Sequence, residues 1–224
     1  MQSEHNFWHQ RWQNQQIGFH LQSVNPLLAA HFQALALKAG QRIFIPLCGK
    51  TLDIHWLLSQ GVHVVGAELN QLAVDALFAE LGLQPTITQA GTLRHYHAVT
   101  QQAQTIDIFQ GDFFALDAAL LGRVDATYDR AALIALPAEL RATYSAHLLD
   151  ITHGAAQLLI SFHYDQSLIS GPPFNVSADE IKLHYAQAYD IALLAEEIMP
   201  TGLKGKYPAQ EKCWLLTPLS AAPK

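Results

Sequence analysis

IFIPLCGKTLDIHWLLSQGVHVVGAE, Ile43 to Glu68, is a short apolar run, a turn with one glycine, an amphipathic segment, a second apolar run and an acid. Ile43-Phe44-Ile45-Pro46-Leu47 is too short for a helix and is flanked by turn signals, which predicts a buried strand. Gly49 breaks it. Thr51 is placed to cap a helix in which Leu52, Trp56 and the pair Leu57/Leu58 share a face. Gly61 ends that helix, and Val62 to Ala67 is a second apolar strand. Strand, helix, strand implies a parallel pair in an open α/β sheet.

Glu68 closes the second strand about 20 residues on from the turn, where a doubly wound sheet places an acid that accepts hydrogen bonds from ribose hydroxyls. An isolated Glu at a strand end reads equally as a solvated acid; the spacing favours the ribose. A phosphate-binding P-loop would need glycine where Phe44 stands. A dinucleotide fingerprint needs three glycines, and Leu47-Cys48-Gly49-Lys50-Thr51-Leu52 has one. A nucleoside without phosphates makes neither demand, and S-adenosylmethionine is a ligand of that kind.

Composition narrows the class. The 224 residues suit one domain, 1–224, with a large core; half are apolar and 14% charged, as in a globular protein. A net charge of −6, with 13 Lys and Arg scattered along the chain, gives no basic patch for nucleic acid. The start Met1-Gln2-Ser3-Glu4-His5 has neither the basic nor the apolar region of a leader, and no apolar run reaches the roughly 18 residues of a membrane span. Cys48 and Cys213 are too few for a disulfide framework. A cytoplasmic, monomeric enzyme is the expectation. The 12 histidines include His5/His9 at helical spacing and His95/His97 at strand spacing, but neither pair has a carboxylate or third histidine nearby in sequence. No metal is expected.

Other segments carry chemistry of their own. Trp8 and Trp12 lie one helical turn apart before Gly18-Phe19-His20. As residues alone they read equally as a helix stapled to the core or as an aromatic cover whose indoles attract a sulfonium. Ile106 to Gln110 is a further strand, and Gly111-Asp112-Phe113 after it suits an adenine or a simple cap. Val124 to Asp129 is another, followed by Arg130, whose guanidinium could hold an anionic sulfur or form a salt bridge. Helices are expected at Asn25 to Lys38, Gln71 to Leu81, Ala138 to Ile151 and Ser177 to Ala186, the last with a Ser177/Glu180 capping box. Strands follow at Ala155 to His163, Asp190 to Glu197 and Glu211 to Leu216; Thr86 to Thr88 and Leu93 to Val99 are short extended stretches between sheet strands.

Four strings resemble the thiopurine S-methyltransferase family. They are Pro46-Leu47-Cys48-Gly49-Lys50 with Glu68, the run from Trp12 to Gly18-Phe19-His20, Asp129-Arg130 within Tyr128 to Leu133, and Gly171-Pro172-Pro173-Phe174. Tyr128 stands where the family has Trp, and Ala131 where it has Gly. The resemblance runs from about Phe7 to Phe174. It implies a Rossmann-like class I methyltransferase with a seven-stranded, mostly parallel sheet, an antiparallel last strand and helices on both faces. It also implies S-adenosylmethionine as methyl donor and S-methylation of aromatic and heterocyclic thiols, thiopurines among them, with selenium and tellurium compounds as further acceptors.

Its site residues map onto Trp12, Leu47, Gly49, Glu68, Asp112, Phe113 and Arg130 for the cofactor, with residues 1–25 as its cover. Phe19, His20, Pro172 and Phe174 map to the acceptor thiol, and Arg130 and Asp129 to the transfer centre. A halide or small-nucleophile methyltransferase is the nearest alternative reading. A nicotinamide-dependent oxidoreductase using Glu68 is the alternative from another class, disfavoured by the lone Gly49.

Overall fold

The structure, a computed structural model, describes residues 2–219, so both ends of the 1–224 span lie outside the described residues. Helix α1 spans Gln2–Gln13, and α2 (Pro26–His31) runs into a 3-10 turn at Phe32–Leu35. The expected helix to Lys38 thus stops early, where Ala36 turns left-handed (φ 50°). Strand β1 (Arg42–Ile45), α3 (Leu52–Ser59) and β2 (His63–Glu68) form the predicted parallel unit, and α4 (Gln71–Leu81) follows. Thr51 and Asn70 cap α3 and α4 by accepting from the backbone amides of Asp53 and Leu72.

Strands β3 (Thr86–Ala90), β4 (Leu93–Val99) and β5 (Thr105–Gln110) come next, then α5 (Ala118–Leu121), β6 (Ala126–Arg130), α6 (Ala138–Thr152) and β7 (Ala156–Tyr164). Helix α7 (Ala178–Tyr185) and the hairpin β8 (Tyr189–Ile198) and β9 (Ala209–Pro218) complete the order. The sheet runs β3-β4-β5-β2-β1-β6-β7-β9-β8. It has nine strands rather than the seven expected, because the extended stretches at β3 and β4 form a hairpin that joins the sheet antiparallel to β5. Only β4 and β9 run against the other strands, so the antiparallel return near the end of the chain is as expected.

Both faces of the central strands are buried, as a doubly wound sheet requires. Ile43, Ile45, Val64, Ile106 and Ile108 pack with α2, α3 and α4; Phe44, Val65, Phe109 and Leu159 pack with Phe113 and with Tyr144 and Leu148 of α6. On α3 the buried face is Asp53, Ile54, Leu57 and Leu58, rotated from the expected one. Asp53 accounts for the rotation: its carboxylate accepts from the amide of Asn25 (2.7 Å) and the hydroxyl of Tyr128 (3.1 Å). On α7, Ser177 caps as expected, but the Glu180 carboxylate accepts from Arg141 (2.7 Å), so the reciprocal half of the capping box gives way to a half-buried ion pair.

Candidate active site

The carboxyl ends of β1, β2, β5 and β6 meet at one rim, where the order reverses on either side of β1, and α1 at the start of the chain lines the same rim. This is the switch point at which open α/β sheets bind ligands. The rim surrounds a cavity of about 100 Å³. Leu47, Glu68, Asp112 and Phe113 line it from the strand ends, Glu4, His5, Trp8 and Trp12 from α1, and Tyr144 and Leu140 from α6.

Glu68 is its polar centre. Its side chain is buried, Oε2 accepts from the amide of Gly49 (2.8 Å) and Oε1 from the amide of Asn70 (2.7 Å). Each carboxylate oxygen has two lone-pair sites, so one on each remains for a ligand. Burial pushes the carboxyl up to about 7, against the pull of the Asn70 and Gly49 amides. The turn after β1 aims the Gly49 amide: Leu47 (φ 47°) and Gly49 (φ 55°) are both left-handed, and the indole of Trp12 lies over Gly49. Glycine adopts this conformation freely, whereas at Leu47 it stores about 1–3 kcal/mol of backbone strain, of the kind that gathers at ligand sites. Ala131, also on the cavity wall, is left-handed too (φ 61°), in the position where glycine had been expected to serve.

The cover is an aromatic cluster. Phe19 meets Trp8 and Trp12 edge to face, each at 5.7 Å between centroids, and His9 pairs with Asn70 (3.1 Å), tying α1 to the start of α4. Arg130 donates from Nη1 to the carbonyl of Phe19 (2.8 Å), fastening the segment after α1 to the end of β6. His20 is held below its usual pKa by burial, then by Lys50 and Arg130, with Glu80 and Asp53 opposing.

Of the sequence-predicted residues, Trp12, Leu47, Glu68, Asp112 and Phe113 line the cavity. Gly49 lies beneath Trp12, and Phe19, His20 and Arg130 gather around the edge of the cover. Asp129 is placed differently. It is fully buried, accepts from the amide of Leu133 (3.1 Å) and the hydroxyl of Tyr144 (2.8 Å), and burial raises its carboxyl to about 6. It supports Tyr144 rather than facing the cavity. Pro172 and Phe174 are also outside the lining; the Phe174 amide donates to the carbonyl of Ile134 (2.7 Å) and its ring lies 5.4 Å from the Arg141 guanidinium. Tyr144, Leu140, Leu136 and Ala135 were not foreseen, since apolar helix positions look alike whether they face a core or a cavity.

The donor set suits a phosphate-free nucleoside: a carboxylate with free lone pairs, aromatic walls, and an acid at the tip of β5.

The comparisons agree with this geometry. The family model for thiopurine S-methyltransferase matches residues 3–212. The chain is 49% identical over 214 residues to "Thiopurine S-methyltransferase" of Xanthobacter autotrophicus, covering 95% of this chain and 98% of that one. It is 50% identical over 219 residues to the protein of the same name from Acinetobacter baylyi, covering 96% and 98%. Among solved structures, a SAM-dependent methyltransferase from Anabaena variabilis superposes with a TM-score of 0.60 at 15% identity, covering 95% of this chain and 94% of that one. A Burkholderia thailandensis 1,6-didemethyltoxoflavin-N1-methyltransferase, solved with S-adenosylhomocysteine, gives 0.60 at 12% identity, covering 95% and 87%. The fold is therefore that of the class I methyltransferases, and on the extent of its sequence match the chain belongs to the thiopurine S-methyltransferase family.

Proposed function

We propose that the protein transfers the methyl group of S-adenosylmethionine to the sulfur of aromatic and heterocyclic thiols, thiopurines among them. The observation that carries this is Glu68: a buried carboxylate clamped by two backbone amides, with a lone pair left on each oxygen at the switch point of the sheet. Bound there, the donor supplies a methyl on a sulfonium, whose bonding electrons stay with the donor sulfur when the acceptor sulfur attacks.

The chain's own residues then have four tasks. Glu68 holds the ribose hydroxyls, and Asp112 with Phe113 receives the base. Trp12, with Leu47 and Gly49 below it, closes over the donor and keeps water out. Arg130 and the neutral imidazole of His20 face the acceptor, the guanidinium favouring an anionic sulfur. Phe19 bounds that side, and Pro172 and Phe174 shape it from behind Ile134. A heteroaromatic thiol ionises more readily than an alkyl thiol, near 8.5, so strong base chemistry is not required. Positioning in a dry site supplies roughly 7–11 kcal/mol. Residues 1–224 act as one catalytic unit with 1–25 as its cover. We place it as a monomer in the cytoplasm with a small-molecule acceptor and no nucleic-acid partner; no helix among the described residues is long and apolar enough to cross a membrane. Selenium and tellurium compounds are further acceptors in this reading.

The test is methyl transfer from labelled donor to a panel of thiopurine, aryl thiol, selenite, tellurite and iodide, with calorimetry of S-adenosylhomocysteine and of NAD. Transfer to the thiols with micromolar S-adenosylhomocysteine binding is expected. Transfer to iodide alone would favour the small-nucleophile relative, and NAD binding without S-adenosylhomocysteine binding would end the proposal.

A further inference from the structure

A second cluster of chemistry lies on β4 and β5, away from the cavity. His95 and His97 share one face of β4, and Asp107 of the neighbouring β5 faces them both. Nε2 of His95 and Nδ1 of His97 each lie 2.8 Å from the same oxygen, Oδ1 of Asp107. Among the described residues these three ligand atoms form a group within 4.8 Å of one another. No carboxylate stands near the histidines along the chain, but the antiparallel pairing of β4 with β5 brings one in.

We propose that His95, His97 and Asp107 form a binding site for a zinc-class divalent cation. Two imidazoles and a carboxylate are the nitrogen and oxygen donors such a cation prefers, and three protein ligands leave a fourth position open. The supporting contacts are those of a ligand set held in place. The ring of His95 stacks on Phe109 at 4.6 Å and 11°, which fixes its plane. The other carboxylate oxygen of Asp107, Oδ2, takes a hydrogen bond from Arg42 (3.3 Å), whose Nη1 is anchored on the carbonyl of Leu121. Ligating carboxylates are commonly held by such outer contacts.

Access comes through His97, whose side chain is 42% exposed against 27% for His95. Metal–ligand bonds of about 2.0–2.1 Å at tetrahedral angles separate ligand atoms by ~3.3 Å. The two imidazole–carboxylate distances, 2.8 Å each, must therefore open by about half an ångström. A cation then takes the place now held by hydrogen bonds, with both imidazoles as neutral ligands. None of the three lines the cavity, and Asp107 stands three residues below the end of β5, roughly 10 Å at ~3.3 Å per residue, so the site is separate from it. Bound metal would cross-link β4 to β5, the joint by which the extra hairpin is attached.

The test is a titration of the metal-stripped full chain with Co(II), read by its visible absorption, then displacement by Zn(II). One equivalent with the intense bands of a four-coordinate ion is expected, with affinity at least tenfold weaker in His97→Ala and Asp107→Asn and unchanged in His153→Ala. In the wild type, Zn(II) should protect His95 and His97 from diethylpyrocarbonate, located by mass spectrometry, and leave the exposed His153 reactive. This second reading does not depend on any variant folding. Equal metal affinity in wild type and His97→Ala, or equal modification of His95 and His97 with and without Zn(II), would overturn the site.

Discussion

The amide of Gly49 points at Oε2 of Glu68 across 2.8 Å, so the turn after β1 and the acid ending β2 form a single unit. The unit has a pH signature. Burial raises the Glu68 carboxyl to about 7 in the folded chain, above its ordinary value of 4.5. Between those values the folded state binds more protons than the unfolded state, so stability falls as pH rises. This contribution is complete below about 4.5 and lost by the time the pH passes 7. Glu68→Gln should flatten that part of the stability curve by on the order of 3 kcal/mol. S-adenosylhomocysteine affinity should behave oppositely: in the wild type it rises as pH climbs through 7 and the carboxylate loses its proton, and in the Gln variant it is weaker by roughly 1–3 kcal/mol and no longer pH-dependent. Urea unfolding and calorimetry from pH 5 to 8 read both.

Gly49→Ala is expected to cost stability and binding together. A Cβ there would sit 3.3 Å from Cζ2 of Trp12, on a backbone at φ 55°. The left-handed conformation alone costs an alanine about 1–2 kcal/mol. The indole must also lift, so quenching of tryptophan fluorescence by acrylamide should increase in the variant. An unchanged quenching constant would show that Trp12 does not rest on the turn.

Arg130→Ala removes the tie to the carbonyl of Phe19. Because Arg130 is only partly buried, the midpoint of urea unfolding should move little while kcat/KM drops by tenfold or more, about 1.4 kcal/mol of transition-state stabilisation. A lowered midpoint with normal kinetics would make the residue structural.

Asp129→Ala should show the reverse pattern. It leaves the amide of Leu133 and the hydroxyl of Tyr144 without their buried acceptor, at about 1–3 kcal/mol for each group. The expected result is a large loss of stability, with kcat of the folded fraction within a few-fold of the wild type. A kcat reduced by orders of magnitude at full stability would return Asp129 to the chemistry.

How far the sequence could be read followed the range of the interactions. The β1–α3–β2 unit was legible because its periods, caps and glycines are local, and the place of Glu68 at the end of β2 because it follows from spacing. Asp129, which the resemblance maps to the transfer centre with Arg130, is buried against Tyr144 instead, because successive residues of a strand point to opposite faces. Tyr144 reaches the cavity only through the docking of α6. The β3–β4 hairpin was visible as extended stretches, but membership of the sheet is decided by pairing with β5, which no local pattern encodes. The Asp107 contact with two histidines was hidden by that same pairing. Ala131 shows a local rule overridden, since the surrounding wall holds a non-glycine residue at φ 61°.

The order of the strands also determines where the molecule can come apart without harm. One open rim is β3 and the other is β8, while β1, β2, β5 and β6, whose tips carry the ligand-facing groups, occupy the interior of the array. Fraying begins at unpaired margins, so β3 and β4 must peel away on one side before β5 is uncovered, and β8, β9 and β7 on the other before β6 is. The hairpin beyond β5 therefore stands as a border, and opening of the β3–β4 pairing leaves the register of the four inner strands intact.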